Sequence, residues 1–332
     1  MKLTRTALAA AALLPVALLT ACGGGPGDGS VKLTLAHSYT QDQAAHTCGA
    51  LTIKEKVEQA DAGLTVEIYD SSQLGGDADR IASVLSGDID IDLQGASALA
   101  AVYVPIGVVD AAYAFEDGGH VSEYFRSDAA DVLKAGFKER SGINVLGAWS
   151  IGPRHFTAND PIRTPEDLKG LRIRFPGSPQ FLMNAKALGA NATEVAFEEV
   201  YLSMQQRLVD GGENTLSNIE AGNMDEVQDY LSLSEHQENS NLIVMGKAFD
   251  DELTPEQQEV LLAAVHEAED AMLECVVESD AELIEMFDAQ EGFEVVDDVD
   301  VDVFREQADE WFLKNLTGDS LAAYESIKES AK

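Results

Sequence analysis

Cysteine is scarce in this chain: 3 in 332 residues, too few for a disulfide framework or a four-cysteine zinc site. Positive charge is also scarce, with 22 Lys+Arg against 59 Asp+Glu and a formal net charge of −37. Such a surface repels phosphate backbones and anionic headgroups, which excludes nucleic-acid binding and a polybasic membrane patch. It names no partner, because excess acid also serves plain solvation, as in adaptation to high salt. The motifs of covalent and phosphoryl chemistry are missing: no G-x-S-x-G elbow, no H-E-x-x-H pair and no Walker loop. The six histidines (37, 46, 120, 155, 236, 266) lack metal-ligand spacing, although His37 and His46 can be neighbours. No cofactor and no metal is expected. With 45% hydrophobic residues the chain still has enough apolar content for one large or two medium domains.

The N-terminus sets the compartment. Lys2 and Arg5 precede an apolar run of 13 residues, Ala7 to Leu19, too short to span a bilayer but suited to a secretory signal. Leu19-Thr20-Ala21-Cys22, followed by glycines, resembles a bacterial lipobox. The expectation is a signal peptide over 1–21, a lipidated Cys22 as the mature N-terminus, and a Gly-rich tether over 22–30. The mature protein is then exported and anchored to the outer face of the cell membrane, or periplasmic. Of the remaining cysteines, Cys48 and Cys275, the sequence allows either a disulfide or two separate buried thiols.

The body alternates strand and helix signals, which argues for an α/β fold with ligands at strand carboxyl ends. Strands are expected at Val31 to Ala36, Leu64 to Tyr69, Ile89 to Gln94, Asn144 to Trp149 and Leu171 to Phe175. Helices are expected at Ala44 to Ala60, Ala78 to Ser86, Pro179 to Leu188, Phe197 to Leu208 and Pro255 to about Phe287, with a loop-rich crossing from Pro153 to Pro165. Thr164-Pro165 and Thr254-Pro255-Glu256-Gln257 read as helix starts with Thr caps. The alternations Asp88-Ile-Asp90-Ile-Asp92 and Asp298-Val-Asp300-Val-Asp302 read as edge strands with a solvated face. The second mimics an EF-hand opening, but Val303 stands where that loop needs Gly, and Asp309 where it prefers Glu.

The chain has ten Arg, and Arg154, Arg163, Arg172 and Arg174 fall within 21 residues. In so acidic a chain, that cluster is where an anionic ligand finds a favourable field. Arg174 ends a strand just before Pro176-Gly177, where a guanidinium can grip a carboxylate bidentately. Surface arginines answering Glu166 and Asp167 fit the same composition.

Several segments resemble, in order, the DctP-type substrate-binding proteins of TRAP (tripartite ATP-independent periplasmic) transporters. They are Gln73-Leu74-Gly75, Phe115 with Asp117 and His120, Gly147-Ala148-Trp149, and Asp167-Leu-Lys-Gly-Leu-Arg-Ile-Arg-Phe-Pro176. Ala187-Leu-Gly-Ala190, Glu199-Val-Tyr201, Val209-Asp-Gly-Gly-Glu-Asn214 and Glu226-Val-Gln-Asp-Tyr-Leu231 follow. Gly212 and Thr215 depart from the family's usual Gln and Pro.

The resemblance implies a two-domain periplasmic-binding-protein-like fold. It has mixed sheets flanked by helices, hinge strands, and a long helix spanning both domains. Domain I would take 31–152 plus about 240–279, and domain II 153–239 plus about 280–332, with hinges near Ile151 to Arg154 and Asn239 to Asn241. It also implies a non-enzymatic role: binding a small carboxylate and delivering it to a sodium-coupled membrane permease. The family's carboxylate-binding Arg falls on Arg174, its second cleft Arg on Arg154, and its Asn on Asn214. Trp149 and Phe175 would wall the pocket, with Gln94, Ser97, Tyr201 and Glu213 nearby. Two other functions share these features: a sensor presenting its closed form to a receptor, and a periplasmic enzyme acting on an acidic sugar.

Overall fold

A computed structural model describes residues 30–196 and 199–331. Cys22, the signal region and the tether lie outside the described residues, as does Phe197 at the start of one expected helix.

The strands are β1 (Val31–Ala36), β2 (Leu64–Tyr69), β3 (Ile91–Gln94), β4 (Asn144–Ala158), β5 (Arg172–Phe175), β6 (Asn191–Glu194), β7 (Gly211–Thr215), β8 (Tyr230–Met245) and β9 (Glu294–Val296). The helices of the first half are α1 (Leu51–Gln59), α2 (Asp77–Ser86), α3 (Ala96–Leu99), α4 (Gly118–Arg126) and α5 (Asp131–Ser141). Those of the second half are α6 (Pro179–Leu188), α7 (Val200–Gln205), α8 (Leu216–Ala221), α9 (Ala248–Asp251), α10 (Pro255–Asp288), α11 (Val301–Asn315) and α12 (Gly318–Ser330).

All nine described strands join one mixed sheet in the order β2-β1-β3-β8-β4-β7-β5-β6, with β9 beside β8. Two lobes arise because β4 and β8 are long enough to serve both. They pair antiparallel from Asn144↔Met245 to Ala158↔Tyr230, with register shifts between Val145 and Gly147, Ser150 and Pro153, and Arg154 and Phe156. The first lobe adds β1–β3 to one end of this ribbon, and the second adds β5–β7 to the other. Gln94 at the end of β3 pairs with Leu242, and Thr215 at the end of β7 pairs with Arg154. The carboxyl ends of the two lobes' strands therefore approach the middle of the ribbon from opposite sides, which is where open α/β sheets place ligands.

Three apolar clusters hold this frame. Leu33, Leu35, Ile53, Val57, Leu261, Val265 and Met272 pack α1 and the first half of α10 onto the first lobe. Val200, Met204, Leu216, Phe287 and Phe293 pack the far end of α10 onto the second. A third cluster, including Ile106, Phe137, Phe156, Ile173, Phe175, Phe304 and Tyr324, runs across both lobes on the opposite face. At a rise of about 1.5 Å per residue, the 34 residues of α10 reach about 51 Å, enough to cross both lobes. Its start is the Thr254 capping box: Thr254 Oγ1 accepts from Gln257 N–H, and Gln257 Oε1 accepts from Thr254 N–H. Cys48, in the π-helical turn before α1, forms a disulfide with Cys275 on α10.

Several sequence expectations are corrected. β3 is a central, fully buried strand rather than an edge, because Asp90 accepts the Thr34 N–H and Asp92 pairs with the buried Arg80. Asp298 to Asp302 is not a strand: Asp300 caps α11, its Oδ1 accepting from Val303 N–H. The strand expected to stop at Trp149 continues through the supposed loop to Ala158. β8 and β7 were not recognised as strands. The C-terminal helix α12, expected with the second lobe, packs on the first-lobe turn Val104–Asp110 and on α5. There Ser326 Oγ donates to the Ala129 carbonyl, and Lys328 Nζ to that of Tyr113.

Candidate functional site

Between the β1 end and the N-terminus of α8 lies a cavity of about 420 Å³, lined by Tyr39, Thr40 and Gln43 from the first lobe and by Ser217 and Asn218 from the second. Ile151 of β4 and Val276 of α10 also line it. Tyr39, which the sequence reading missed, is fixed at both backbone ends. Its N–H donates to His37 Nδ1 at 3.2 Å, and its carbonyl accepts from Ser71 N–H at 2.8 Å. Its position just beyond a strand's carboxyl end was the available signal. His37 and His46 do meet, Nε2 to Nδ1 at 3.1 Å, and since His37 Nδ1 is the acceptor for Tyr39, His37 Nε2 is the donor.

On the second-lobe side, Arg154 is 4% exposed. Its Nε and Nη2 grip Glu213 Oε2 and Oε1 at 2.5 and 2.8 Å, and its Nη1 donates to Asn239 Oδ1 at 2.8 Å. The guanidinium carbon lies 4.9 Å from the Phe181 ring centroid. Burial alone would raise the Glu213 carboxyl, but the Arg154 charge and hydrogen bonds from His236 and Arg154 hold it below its ordinary value. His236 is in turn kept neutral chiefly by burial, between Ser234 Oγ and Glu213.

Arg174 is equally buried, and its Nε donates to the Val195 carbonyl at 2.9 Å. It pairs with Gly212 of β7, and a Cβ at 212 would press on Met204 Cε. Gly212 thus keeps β7 tight against β5 and α7. Asn214 Oδ1 accepts from Thr215 N–H and from Nδ2 of the cavity residue Asn218. The other arginines of the cluster are surface groups, though not with the expected partners: Arg172 pairs with Asp210 and Arg163 with Asp298.

From the first lobe, Gln94 donates to Asp92, which Arg80 Nε also holds at 2.8 Å. Burial, opposed by Arg80, pushes the Asp92 carboxyl up to about 6. Ser97 donates through N–H and Oγ to one oxygen of the buried Asp110, and Ser240 Oγ donates to the other at 2.6 Å. Arg80 and Asp110 were missed in sequence because each is a single charged residue outside any motif.

The structure therefore brings Arg154, Glu213, Asn214 and Arg174 onto three adjacent strands, with Gln94 and Ser97 facing the ribbon's middle from the other lobe. It does not bring the aromatics with them. Trp149 is packed beside Met272 in the first-lobe core, Phe175 is fully buried in the shared cluster, and the Tyr201 hydroxyl donates to Glu226 on the outer side of α7. Among the described residues, no group of three or more His, Cys, Asp or Glu is arranged to hold a metal ion, and no helix is long and apolar enough to cross a membrane.

Residues 35–316 match the model of the DctP family, bacterial extracellular solute-binding protein family 7. The chain is 31% identical over 304 residues to the 2,3-diketo-L-gulonate-binding periplasmic protein of Escherichia coli, covering 90% of this chain and 92% of that one. It is 27% identical to the sialic acid-binding periplasmic protein of Vibrio cholerae, over 88% of this chain and 91% of that one. A TRAP periplasmic solute-binding protein from Roseobacter denitrificans, with bound L-galactonate, superposes with a TM-score of 0.75 at 27% identity, covering 89% and 98% of the two chains. Fold, ordered motifs and relatives agree: the chain belongs to the DctP family, as an extracytoplasmic, non-enzymatic solute-binding component of a TRAP transporter.

Proposed function

We propose that this chain captures a small hydroxylated carboxylic acid between its lobes and delivers it to a sodium-coupled membrane permease, with Arg174 gripping the carboxylate. The placement of Arg174, buried on a strand whose carboxyl end meets the cleft, carries this reading. Gln94, Ser97, Asn214 and Arg154 with Glu213 would orient the rest of the ligand; Trp149, Phe175 and Tyr201 would act through packing. The buried atoms of β8 without a hydrogen-bond partner among the described residues, Gln237 Nε2 and Asn241 Oδ1, support a ligand rich in hydroxyls. The sugar acids held by the relatives support the same class. The register shifts of β4 at Ser150–Phe156 support hinges there and at Asn239 to Asn241, with closure by lobe rotation.

A thermal-shift series with L-galactonate, 2,3-diketo-L-gulonate, sialic acid and succinate tests this. A ligand at 100 times its Kd stabilises the fold by about 2.7 kcal/mol. No shift with any carboxylate would overturn the reading. Small-angle scattering should show a smaller radius with the bound acid. The Cys22 box supports lipid anchoring, so Cys22→Ala should leave the precursor unprocessed or release the protein from membranes. An intact mass with an unmodified N-terminus elsewhere would refute the anchor.

A further inference from the structure

β7 pairs with β4 only from Arg154 to Ala158, so among the described residues the outer edge of β4 from Asn144 to Pro153 has no strand neighbour. Along that edge, between the start of α4 and the middle of α10, runs a groove of about 810 Å³ at the crossing of both hinge strands. Seven carboxylic acids line it, with no lysine or arginine.

Glu238 of β8 stands at its centre. Ser150 Oγ donates to Glu238 Oε2 at 2.5 Å, and the same hydroxyl accepts the Gly152 N–H. Gly152 has φ +109°, and a Cβ there would meet Asp280 Oδ2 at 3.2 Å, so α10 sets Asp280 directly against the bulge of the hinge strand. From the α4 side Glu116, Asp117 and Glu123 face the groove, with His120 kept neutral by burial. β8 adds Glu235, and α10 adds Glu269, which Arg126 neutralises at 2.5 Å. Neither Glu238 nor Asp280 has a cationic partner among the described residues. Burial, aided by the charge of Glu235 for Asp280 and, against the opposing Ser150 hydrogen bond, by those of Asp117, Glu235 and Asp280 for Glu238, pushes both carboxyls up to about 7.

We propose that Glu238 and Asp280 form a proton-operated brace at the hinge. Protonated, they let α4, the hinge strands and α10 pack as in this structure. Ionised, they repel each other, Asp117 and Glu235, and turn the lobes to a different angle. Asp280 also lines the cleft cavity, so the brace is read on the ligand-free chain, where no bound acid acts on it. A carboxyl that binds its proton more tightly in this lobe arrangement than in one that hydrates it favours this arrangement as pH falls. The change is centred between the ordinary carboxylate value and about 7, so it spans roughly pH 5 to 8.

Small-angle scattering on the ligand-free mature chain across that range reads the lobe angle. The wild-type radius of gyration should drift with pH. Glu238→Gln should weaken the drift, and Glu238→Gln with Asp280→Asn should hold the radius at its low-pH value throughout. Both changes are isosteric, and circular dichroism checks that the fold persists. Glu123→Gln, on the exposed rim, should drift like the wild type. A wild-type radius that ignores pH, or a double variant that drifts like the wild type, overturns the proposal.

Discussion

Arg154 grips the Glu213 carboxylate side-on through two N–H···O bonds and its carbonyl through a third, and extends a fourth to Asn239 of the other hinge strand. This one side chain ties β4, β7 and β8 together where the lobes meet. Breaking a buried ion pair from one side leaves an uncompensated charge and costs about 3–5 kcal/mol. Glu213→Gln should lower the unfolding free energy by that amount, read as a lower urea midpoint with an unchanged m-value. Arg154→Met combined with Glu213→Leu should recover most of the loss. A Glu213→Gln midpoint equal to the wild type would show that the pair does not brace the fold.

The ligand prediction centres on Arg174. Removing one member of a buried charge pair costs about 2–5 kcal/mol, or roughly 30- to 4,000-fold in affinity. Calorimetry with the cognate acid should show that loss for Arg174→Ala and an intermediate loss for Arg174→Lys, which keeps the charge but not the paired geometry. Arg163→Ala removes only an exposed pair with Asp298 and should leave affinity unchanged. Near-normal affinity for Arg174→Ala would place the anion elsewhere.

The disulfide joins residues 227 positions apart in sequence. Cys48→Ala with Cys275→Ala should cost about 2–4 kcal/mol, and reductant should destabilise the wild type equally while leaving the double variant unaffected. Equal melting of oxidised and reduced wild type would contradict this.

Stability should depend on pH with a definite sign. Glu238, Glu269 and Asp280 are each pushed up to about 7 and Asp92 to about 6, burial being the leading cause in all four. Their contribution is fully present below the ordinary carboxylate range and is lost as pH rises through these folded values. His37 and His155, pushed down to about 4 and about 3 mainly by burial, contribute above about 6.5 and lose that contribution as pH falls. The melting temperature should therefore rise as pH drops from about 8 to about 6.5, then level off as the histidines begin to oppose the carboxyls. Relief of repulsion among the surplus acids acts in the same direction. A melting temperature that climbs from pH 6.5 to 8 would show the opposite balance.

What could be read in the sequence was what is local. Thr254 with Gln257, and Pro179 at the start of α6, announce their helices through caps a few residues long, and both helices stand where expected. β3 was misread because Asp90 and Asp92 look solvent-facing until Thr34 and Arg80, distant in sequence or on another element, answer them. β8 escaped notice because Ser232, Ser234, His236, Gln237 and Ser240 imitate a loop, although each is buried on a ribbon paired along its length. Arg154 and Arg174 could be picked out because cations are rare here. That Arg154 is already committed to Glu213 depends on a register between β4 and β7 that no local pattern reports.

The packing of α12 on the first lobe bears on how the protein is made. Ser326, Lys328 and Ser330 reach Ala129, Tyr113 and His120, so α12 supplies part of the surface that residues some two hundred positions earlier need. Cys48 likewise waits for Cys275. The first lobe cannot finish assembling until α12 and α10 have docked on it. A chain truncated before Gly318 should therefore lose these contacts and expose the first-lobe surface around Tyr113, His120 and Ala129 to proteolysis.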